Sequence, residues 1–525
     1  MKKNENLSGM VRHAMSMMVG TSMSRVLGLV REMLTAAFFG ATRQLDAFYI
    51  AYTLANLSRQ LLAEGALSAS FVPVFSKTLS ENGKDSAREL AKQALSILIF
   101  GAVIVVIIGI LFAPFFVKIM APGFAAEDRI LAISLTRFMF PFLLFVSIGA
   151  LAMGVLNSMG SFFVPAVAPA VSNVAYILFL LLVRKNLTIW NLGTAVLIGG
   201  ACQMTLQWYW CKRMGIKLTP VLPKKNNSDL KSMMTLFFPY AAGLSLNQVN
   251  PIISRMMGSF LVGGSISVLN YADRVLQLPL GLFVIAISQA VLPMLSRQDT
   301  ADTIAFRDFI RDALRFNLFV VLPVAIGLFL ISDEVVNLLF FRGAFSEWAW
   351  HATATALAIY GLGLPGMATC TVILRAMYAR RMPRAAVAVT AVTVSVNFCA
   401  CIILMPFFEY AGLAAATAIA FTCASFYGAW ALSRNLGQKL DIFSKEWVIK
   451  IIISMGLMFS TLFVFKKMLP YPVLSGISMK IVWIITAMLL AVIVYVVSTL
   501  QLKCPEWQWI FDAIKTNSNS QKSRM

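Results

Sequence analysis

Apolar residues run through this chain in long stretches parted by short polar joints. A helix needs about 20 predominantly apolar residues to cross the hydrocarbon of a bilayer. Read at that length, the pattern predicts about fourteen spans. The first six approximate residues 15–40, 46–76, 90–116, 130–157, 162–183 and 188–210. The next six approximate 230–262, 264–295, 309–331, 348–378, 383–406 and 411–434, and the last two 447–467 and 479–502. Open sheets cannot satisfy their backbone groups in lipid. The predicted class is therefore an all-α polytopic membrane protein.

Within that pattern the halves repeat. Phe71-Val-Pro-Val-Phe-Ser-Lys77 closes the second span and Val291-Leu-Pro-Met-Leu-Ser-Arg297 the eighth. Met120-Ala-Pro-Gly-Phe124 and Phe341-Arg-Gly-Ala-Phe345 precede the fourth and tenth, and Pro141 with Asn173 matches Pro365 with Asn397. The common order predicts two six-helix lobes related as parallel repeats, an arrangement that places transporter sites near the midplane. The expected organisation is an N-terminal lobe over 1–220, a C-terminal lobe over 221–440, a helix pair over 441–503 and a cytoplasmic tail over 504–525. Prolines within the spans are candidate kinks, and Pro279-Leu-Gly281 marks the expected bend just after Asp273 and Arg274.

Charges inside the apolar runs change the picture most. Arg25 and Arg31 interrupt the first, Arg59 and Glu64 the second, Arg255 the seventh, and Asp273–Arg274 the eighth. An ionised side chain at bilayer depth costs at least about 2.5–3.5 kcal/mol on insertion scales. Each must face protein, water or a ligand rather than lipid. Arg25 and Glu32, seven residues apart, fall on nearly one helical face, with Arg31 offset from it. For any single arginine the alternative is an ion pair holding its bundle together. Because positive residues outnumber nearby carboxylates, the set favours a hydrated cationic cavity for a phosphate or carboxylate ligand, which the guanidinium fork matches. Asp46, Glu64 and Asp273 would orient arginines or act as gates. Asn56, Asn247, Gln248, Asn250 and Asn270 could hydrogen-bond a sugar or peptide, or serve as contacts between helices.

Composition agrees: 59% of residues are hydrophobic and 13% charged. A net charge of +21 would suggest nucleic acid in a soluble chain. Here Lys and Arg gather in alternate joints, such as Lys77–Lys92, Lys212–Lys231 and Arg297–Arg315, as the positive-inside rule describes. No nucleic-acid partner is expected, and the basic termini place both ends in the cytoplasm. Seven cysteines without a C-x-x-C pair imply no disulfide framework. There is no phosphate-binding P-loop, H-E-x-x-H or G-x-S-x-G, so no enzyme, cofactor or metal is expected. With no ATPase, transport would run on a gradient, the membrane potential or drainage of product.

Ser24-Arg-Val-Leu-Gly…Arg31, Asp46-Ala-Phe, Asn56-Leu-Ser-Arg59 and Ala63-Glu-Gly-Ala-Leu-Ser…Phe71-Val-Pro resemble the MurJ (MviN) lipid II flippases, as do Tyr271-Ala-Asp-Arg274 and Phe341-Arg-Gly-Ala-Phe345. The resemblance covers the first twelve spans, and the last two also match. That family belongs to the multidrug/oligosaccharidyl-lipid/polysaccharide exporter superfamily, with fourteen helices and a central cationic cavity. The resemblance implies a flippase that moves lipid II, an undecaprenyl diphosphate bearing a disaccharide and peptide, across a bacterial inner membrane. Lipid II and membrane lipids would be its partners, with cell-wall synthesis proteins as further candidates. It further implies that Arg25, Arg31, Arg59 and Arg255 engage the diphosphate or head group, that Asp46 contributes to a gate or ion pair, that Asp273–Arg274 line the opposite lobe's wall, and that the last two spans form a groove for the prenyl tail. Some members carry Glu where this chain has Gln277, and some bind sodium through an acid in the eleventh span. Between Pro383 and Pro406 this chain has Asn397, Cys399 and Cys401 and no acid, so coupling to membrane potential is expected. The alternatives are a flippase for another prenyl-diphosphate oligosaccharide and a cation-coupled exporter of the same superfamily.

Overall fold

The structure, a computed structural model, describes residues 2–60, 67–222, 228–245, 248–285, 303–509 and 511. The second copy of the Val-Pro motif, at 291–297, lies outside the described residues. Among those described, regular structure is helical throughout. The chain forms two compact units, Met1–Ser267 with Arg342–Phe345, and Val268–Phe341 with Ser346–Met525.

In the first unit the helices are α1 (Lys2–Phe39), α2 (Arg43–Ser58), α3 (Leu67–Leu111), α4 (Ala113–Met120), α5 (Ala126–Met139) and α6 (Phe142–Ser158), then α7 (Phe163–Leu182), α8 (Ile189–Arg213), α9 (Ser228–Ser245) and α10 (Val249–Gly258). The α3 run is not one rod, because Gly83 leaves helical geometry (φ 81°, ψ −179°) and divides it near where the second and third spans were expected to part. Before that break, Phe71 and Phe75 lie 5.1 Å apart between ring centroids and are fully buried, with Phe71 against Gly154 of α6. Helix α1 lies along α7, with Gly20 opposite Ala166, and α2 packs on α5. Apolar helices in lipid gain little from expelling water, so close packing of small and aromatic side chains carries these contacts.

The second unit takes in most of α11 (Ser265–Pro279), which begins in the first, then a π-helical turn (Leu280–Ile285), α12 (Thr303–Phe340), α13 (Glu347–Ala379), α14 (Pro383–Leu436), α15 (Lys445–Met468) and α16 (Ile477–Gln501). The π turn starts where Pro279-Leu-Gly281 was expected to bend the chain. At 54 residues, α14 would be about 80 Å long if straight, nearly twice a bilayer with its headgroups. It folds back instead. Glu409 adopts φ 49°, and a Cβ on Gly412 would sit 2.6 Å from the carbonyl oxygen of Leu404, a residue about 12 Å away along a continuous helix. The two arms are the expected spans 383–406 and 411–434. Helices α15 and α16 each bury one stripe (Trp447, Ile451, Met458 and Leu462; Ile484, Ala487, Ala491 and Tyr495) in the core they share with α12 and leave the other apolar face outward.

Among the described residues nine helices are long and apolar enough to cross a membrane, so this is a multi-pass membrane protein. Length and apolarity do not by themselves recover fourteen crossings. Two of the nine runs are broken as above. Helices α2, α10 and α11 have only 16, 10 and 15 residues, and α1 carries internal charge.

Beyond α16 the chain packs back onto the second unit. Trp507 meets the Phe319 ring edge-on at 6.0 Å and donates Nε1–H to Thr499 Oγ1 (3.0 Å). Glu506 is fully buried; Oε1 accepts from Trp447 Nε1, while Oε2 has no partner among the described residues. Burial pushes its carboxyl above the usual range, outweighing that hydrogen bond and the nearby Arg315. A carboxyl with a raised folded pKa is most compatible with the fold while protonated, and stability is lost as pH rises from its unfolded value through the folded one. The melting temperature in detergent is expected to fall as pH rises above the ordinary carboxylate range. Glu506→Gln, which keeps the acceptor for Trp447, should flatten that slope. Parallel pH profiles for the two proteins would show that Glu506 is not the titrating group.

Candidate functional site

The expected arginine cluster resolves into groups with different degrees of engagement. Arg31 and Glu32 leave α1 side by side and form an ion pair (Nη2 to Oε1, 2.6 Å). Neighbouring residues on a helix do not face each other. Here α7 and α2 gather the two side chains. Arg31 Nη1 donates to Asn173 Oδ1 (3.3 Å), and its guanidinium lies 5.3 Å from the Tyr176 ring and 6.0 Å from that of Tyr52. Glu32 Oε2 accepts from Tyr49 Oη (2.8 Å). Asn173 Nδ2 donates to the Ser24 carbonyl (3.1 Å), and Thr35 Oγ1 and Tyr176 Oη lie 3.2 Å apart. Glu32 is 3% exposed and the Arg31 side chain 15%. The acid that holds Arg31 is thus its chain neighbour, and Arg25, which shares a helical face with Glu32, is not its partner. Asn173 appeared in the sequence only as a repeat landmark, and Tyr49, Tyr52 and Tyr176 carried no signal there.

Arg25 is half-buried and makes no hydrogen bond or ion pair among the described residues. Arg59, in a short π-helical stretch after α2, donates Nε–H to Asn56 Oδ1 (2.6 Å). Arg255 donates to the Pro251 carbonyl one turn earlier in α10 (3.3 Å). Both are half-buried. Glu64 and Asn247 lie outside the described residues. In the second unit, exposed Asp273 accepts from Gln277 Nε2 (2.7 Å), one turn further along the same helix; Arg274 beside it is half-buried.

Among the described carboxylates of the expected set, Asp46 is the buried one. Thr42 caps α2 through the Leu45 N–H (3.3 Å), and Asp46 follows in the first turn. Its Oδ2 accepts from the Gly264 N–H (2.6 Å), and Oδ1 from both the N–H (2.7 Å) and the Oγ–H (2.6 Å) of Ser267. Those are the free donors of the first turn of α11, which a helix cannot satisfy internally. A carboxylate there also meets the positive end of the helix dipole. Arg43, Asp46, Gly123, Asp128 and Ser259 line a cleft of about 190 Å3 in the first unit. That is below the roughly 300 Å3 at which ligand pockets usually begin.

Comparison with known proteins follows the same chain length. Residues 35–503 match the family model for lipid II flippase MurJ. The probable lipid II flippase MurJ of Rhizobium tropici is 34% identical over 406 residues, 76% of each chain. The lipid II flippase MurJ of Burkholderia cenocepacia is 32% identical over 75% of this chain and 78% of its own. A solved structure of lipid II flippase MurJ in an inward closed conformation matches with a TM-score of 0.77 and 25% identity, over 92% of this chain and 97% of that one. An inward-facing multidrug resistance MATE family transporter of the MOP superfamily shares the fold, with a TM-score of 0.69 at 13% identity over 82% of this chain and 98% of that one. The family model runs from the end of α1 past α16, and relatives above 30% identity align over three quarters of their length: the chain belongs to the lipid II flippase MurJ family.

Proposed function

We propose that this protein flips lipid II from the cytoplasmic to the outer leaflet of a bacterial plasma membrane, with both termini in the cytoplasm. The observation that carries this reading is the family match over residues 35–503. The mechanism is alternating access through a central cationic cavity, with lobes over 1–220 and 221–440 and a groove for the prenyl tail over 441–503. Arg25, Arg31, Arg59, Arg255 and Arg274 meet the diphosphate or head group; Asp46, Glu64 and Asp273 gate the cycle or pair with the arginines. Binding of a diphosphate neutralises positive charge that would otherwise oppose closure. Each net charge moving through the membrane field is worth about 2.3 kcal/mol per 100 mV, which draws the empty cationic site back toward a negative interior. Beyond lipid II and membrane lipids, cell-wall synthesis proteins are the natural partners.

The test is cleavage of lipid II by an externally added lipid II-cleaving toxin, in cells depleted of this protein and re-supplied with variants. Wild type should restore cleavage. Arg25→Ala strands no partner among the described residues, so at equal protein level its loss of cleavage would report ligand contact rather than misfolding. Cleavage that persists without the protein would remove lipid II as the substrate. Full cleavage with Arg25→Ala would remove Arg25 from the site.

A further inference from the structure

The end of the second unit where α15 gives way to α16 holds a polar cluster that carries no part of the proposed transport cycle. Helix α15 closes on Lys466-Lys467-Met468, and Lys480 lies in the first turn of α16. Lys466 Nζ donates to Glu334 Oε1 (2.8 Å) and to the Leu330 carbonyl (2.6 Å). Lys480 Nζ donates to Asn337 Oδ1 (2.9 Å), which also accepts from Tyr471 Oη (3.3 Å). Glu334 and Asn337 are three residues apart on one face of α12 and are 5% and 2% exposed.

Two features of this cluster are unfinished. Lys466 has a carboxylate partner and Lys480 has none among the described residues, so two ammonium groups share one acid. Asp333, the next acid along, faces His351 of α13 instead (3.0 Å). In addition, two buried atoms lack a hydrogen-bond partner among the described residues: the donor Asn337 Nδ2 and the acceptor Glu334 Oε2. An unmet buried N–H beside an ammonium without a carboxylate suits an oxyanion, for which charge-assisted bonds are strong. An unmet carboxylate oxygen beside it suits a hydroxyl. The two needs coincide in a phosphodiester that bears free hydroxyls.

The surroundings indicate the source. Leu469, Leu474, Ile477 and Met479 display their side chains outward around the turn, Leu474 fully. Such side chains at the end of two apolar helices belong in lipid, which places the lysine heads at the depth of the headgroups. We propose that Lys480, Lys466, Asn337 and Glu334 form a binding site for the headgroup of an anionic phospholipid of the phosphatidylglycerol class. The phosphate oxygens take the Lys480 ammonium; Asn337 Nδ2 and Glu334 Oε2 are closed to solvent, so a headgroup reaches them, its phosphate at the amide and a glycerol hydroxyl at the carboxylate, only as the α15–α16 turn parts from α12. A zwitterionic headgroup would bring its own cation to two lysines and is disfavoured.

Thermal unfolding of the full-length protein in detergent, with phosphatidylglycerol, phosphatidylcholine or inorganic phosphate added, tests the site. Phosphatidylglycerol should raise the melting temperature and the other two should not. Lys480→Gln keeps a donor for Asn337 Oδ1 and removes the charge; it should weaken phosphatidylglycerol binding about fivefold and abolish the preference over phosphatidylcholine. Asn337→Asp keeps the acceptor for Lys480 and Tyr471 but sets a negative charge against the phosphate, and should abolish the preference even if Lys480→Gln fails to fold. Lys467→Gln, at an exposed lysine outside the cluster, should retain it. Equal stabilisation by the two lipids, or a preference that survives both cluster variants, would reduce the cluster to a staple between α12 and the α15–α16 turn. A shift reproduced by inorganic phosphate would overturn the lipid as its ligand.

Discussion

Asp46→Ala is expected to lower the melting temperature of the protein sharply. The side chain is 3% exposed and accepts three hydrogen bonds from residues 218 and 221 positions later in the chain. Removing it leaves the Gly264 N–H and the Ser267 N–H and hydroxyl without their acceptor. Bonds to a charged acceptor contribute about 1.5–3 kcal/mol each, and a stranded buried donor costs about 1–3 kcal/mol. Even with partial relaxation the loss should be at least about 3 kcal/mol, a large share of the stability of most folds. Asp46→Asn supplies one acceptor oxygen, turns an NH2 toward the remaining donors, and should recover less than half of that. Thermal unfolding in detergent measures both. A melting temperature for Asp46→Ala within a degree or so of wild type would mean that the three bonds are not held in solution. If Asp46 also gates the cycle, Asp46→Asn should lose more toxin-accessible lipid II than its residual fold accounts for.

The bonds of Asp46 mark where sequence reading stops. Its partners are chiefly backbone N–H groups, and every residue but proline offers one, so nothing at Gly264 or Ser267 announces an acceptor more than two hundred residues away. The apolar runs, in contrast, are local, and they placed most of the helices. Backbone geometry intervenes at Pro279, where the run from 264 passes into a π-helical turn. The fold-back near Glu409 was legible, because a polar pair, Glu409-Tyr410, follows Pro406 and parts two apolar arms. The arginines were legible as misfits in lipid, since one charged residue in an apolar run is visible without any fold. Their partners were not. Helical periodicity pairs Glu32 with Arg25, but α7 brings Asn173 and Tyr176 against Arg31 from more than 140 residues away and settles the choice the other way. A helical wheel describes one helix, and the choice of ion-pair partner was made by three.

That pairing sets up the second large effect, because stability and transport should separate there. Arg31→Ala takes a 2.6 Å ion pair from buried Glu32, whose other oxygen stays with Tyr49 Oη. Glu32→Ala leaves a guanidinium between two tyrosine rings, whose cation–π attraction of about 0.5–2 kcal/mol does not offset the missing carboxylate. Breaking a buried pair from either side costs about 3–5 kcal/mol, whereas replacing both members by well-packed neutral residues is often nearly neutral. Each single variant should therefore melt well below wild type, and Arg31→Met combined with Glu32→Gln, whose amide oxygen still accepts from Tyr49, should recover most of the loss. A double variant as unstable as the singles would show that the pair is not a closed unit. Transport then divides the two readings of Arg31. If its guanidinium meets a phosphate oxygen during the cycle, the refolded double variant should still fail to expose lipid II to an external toxin, since no charge remains to meet the diphosphate. If the pair only braces α1 against α2 and α7, the double variant should transport as well as it folds, and the work of reading the anion would fall to the arginines that Glu32 does not neutralise, Arg25 first among them.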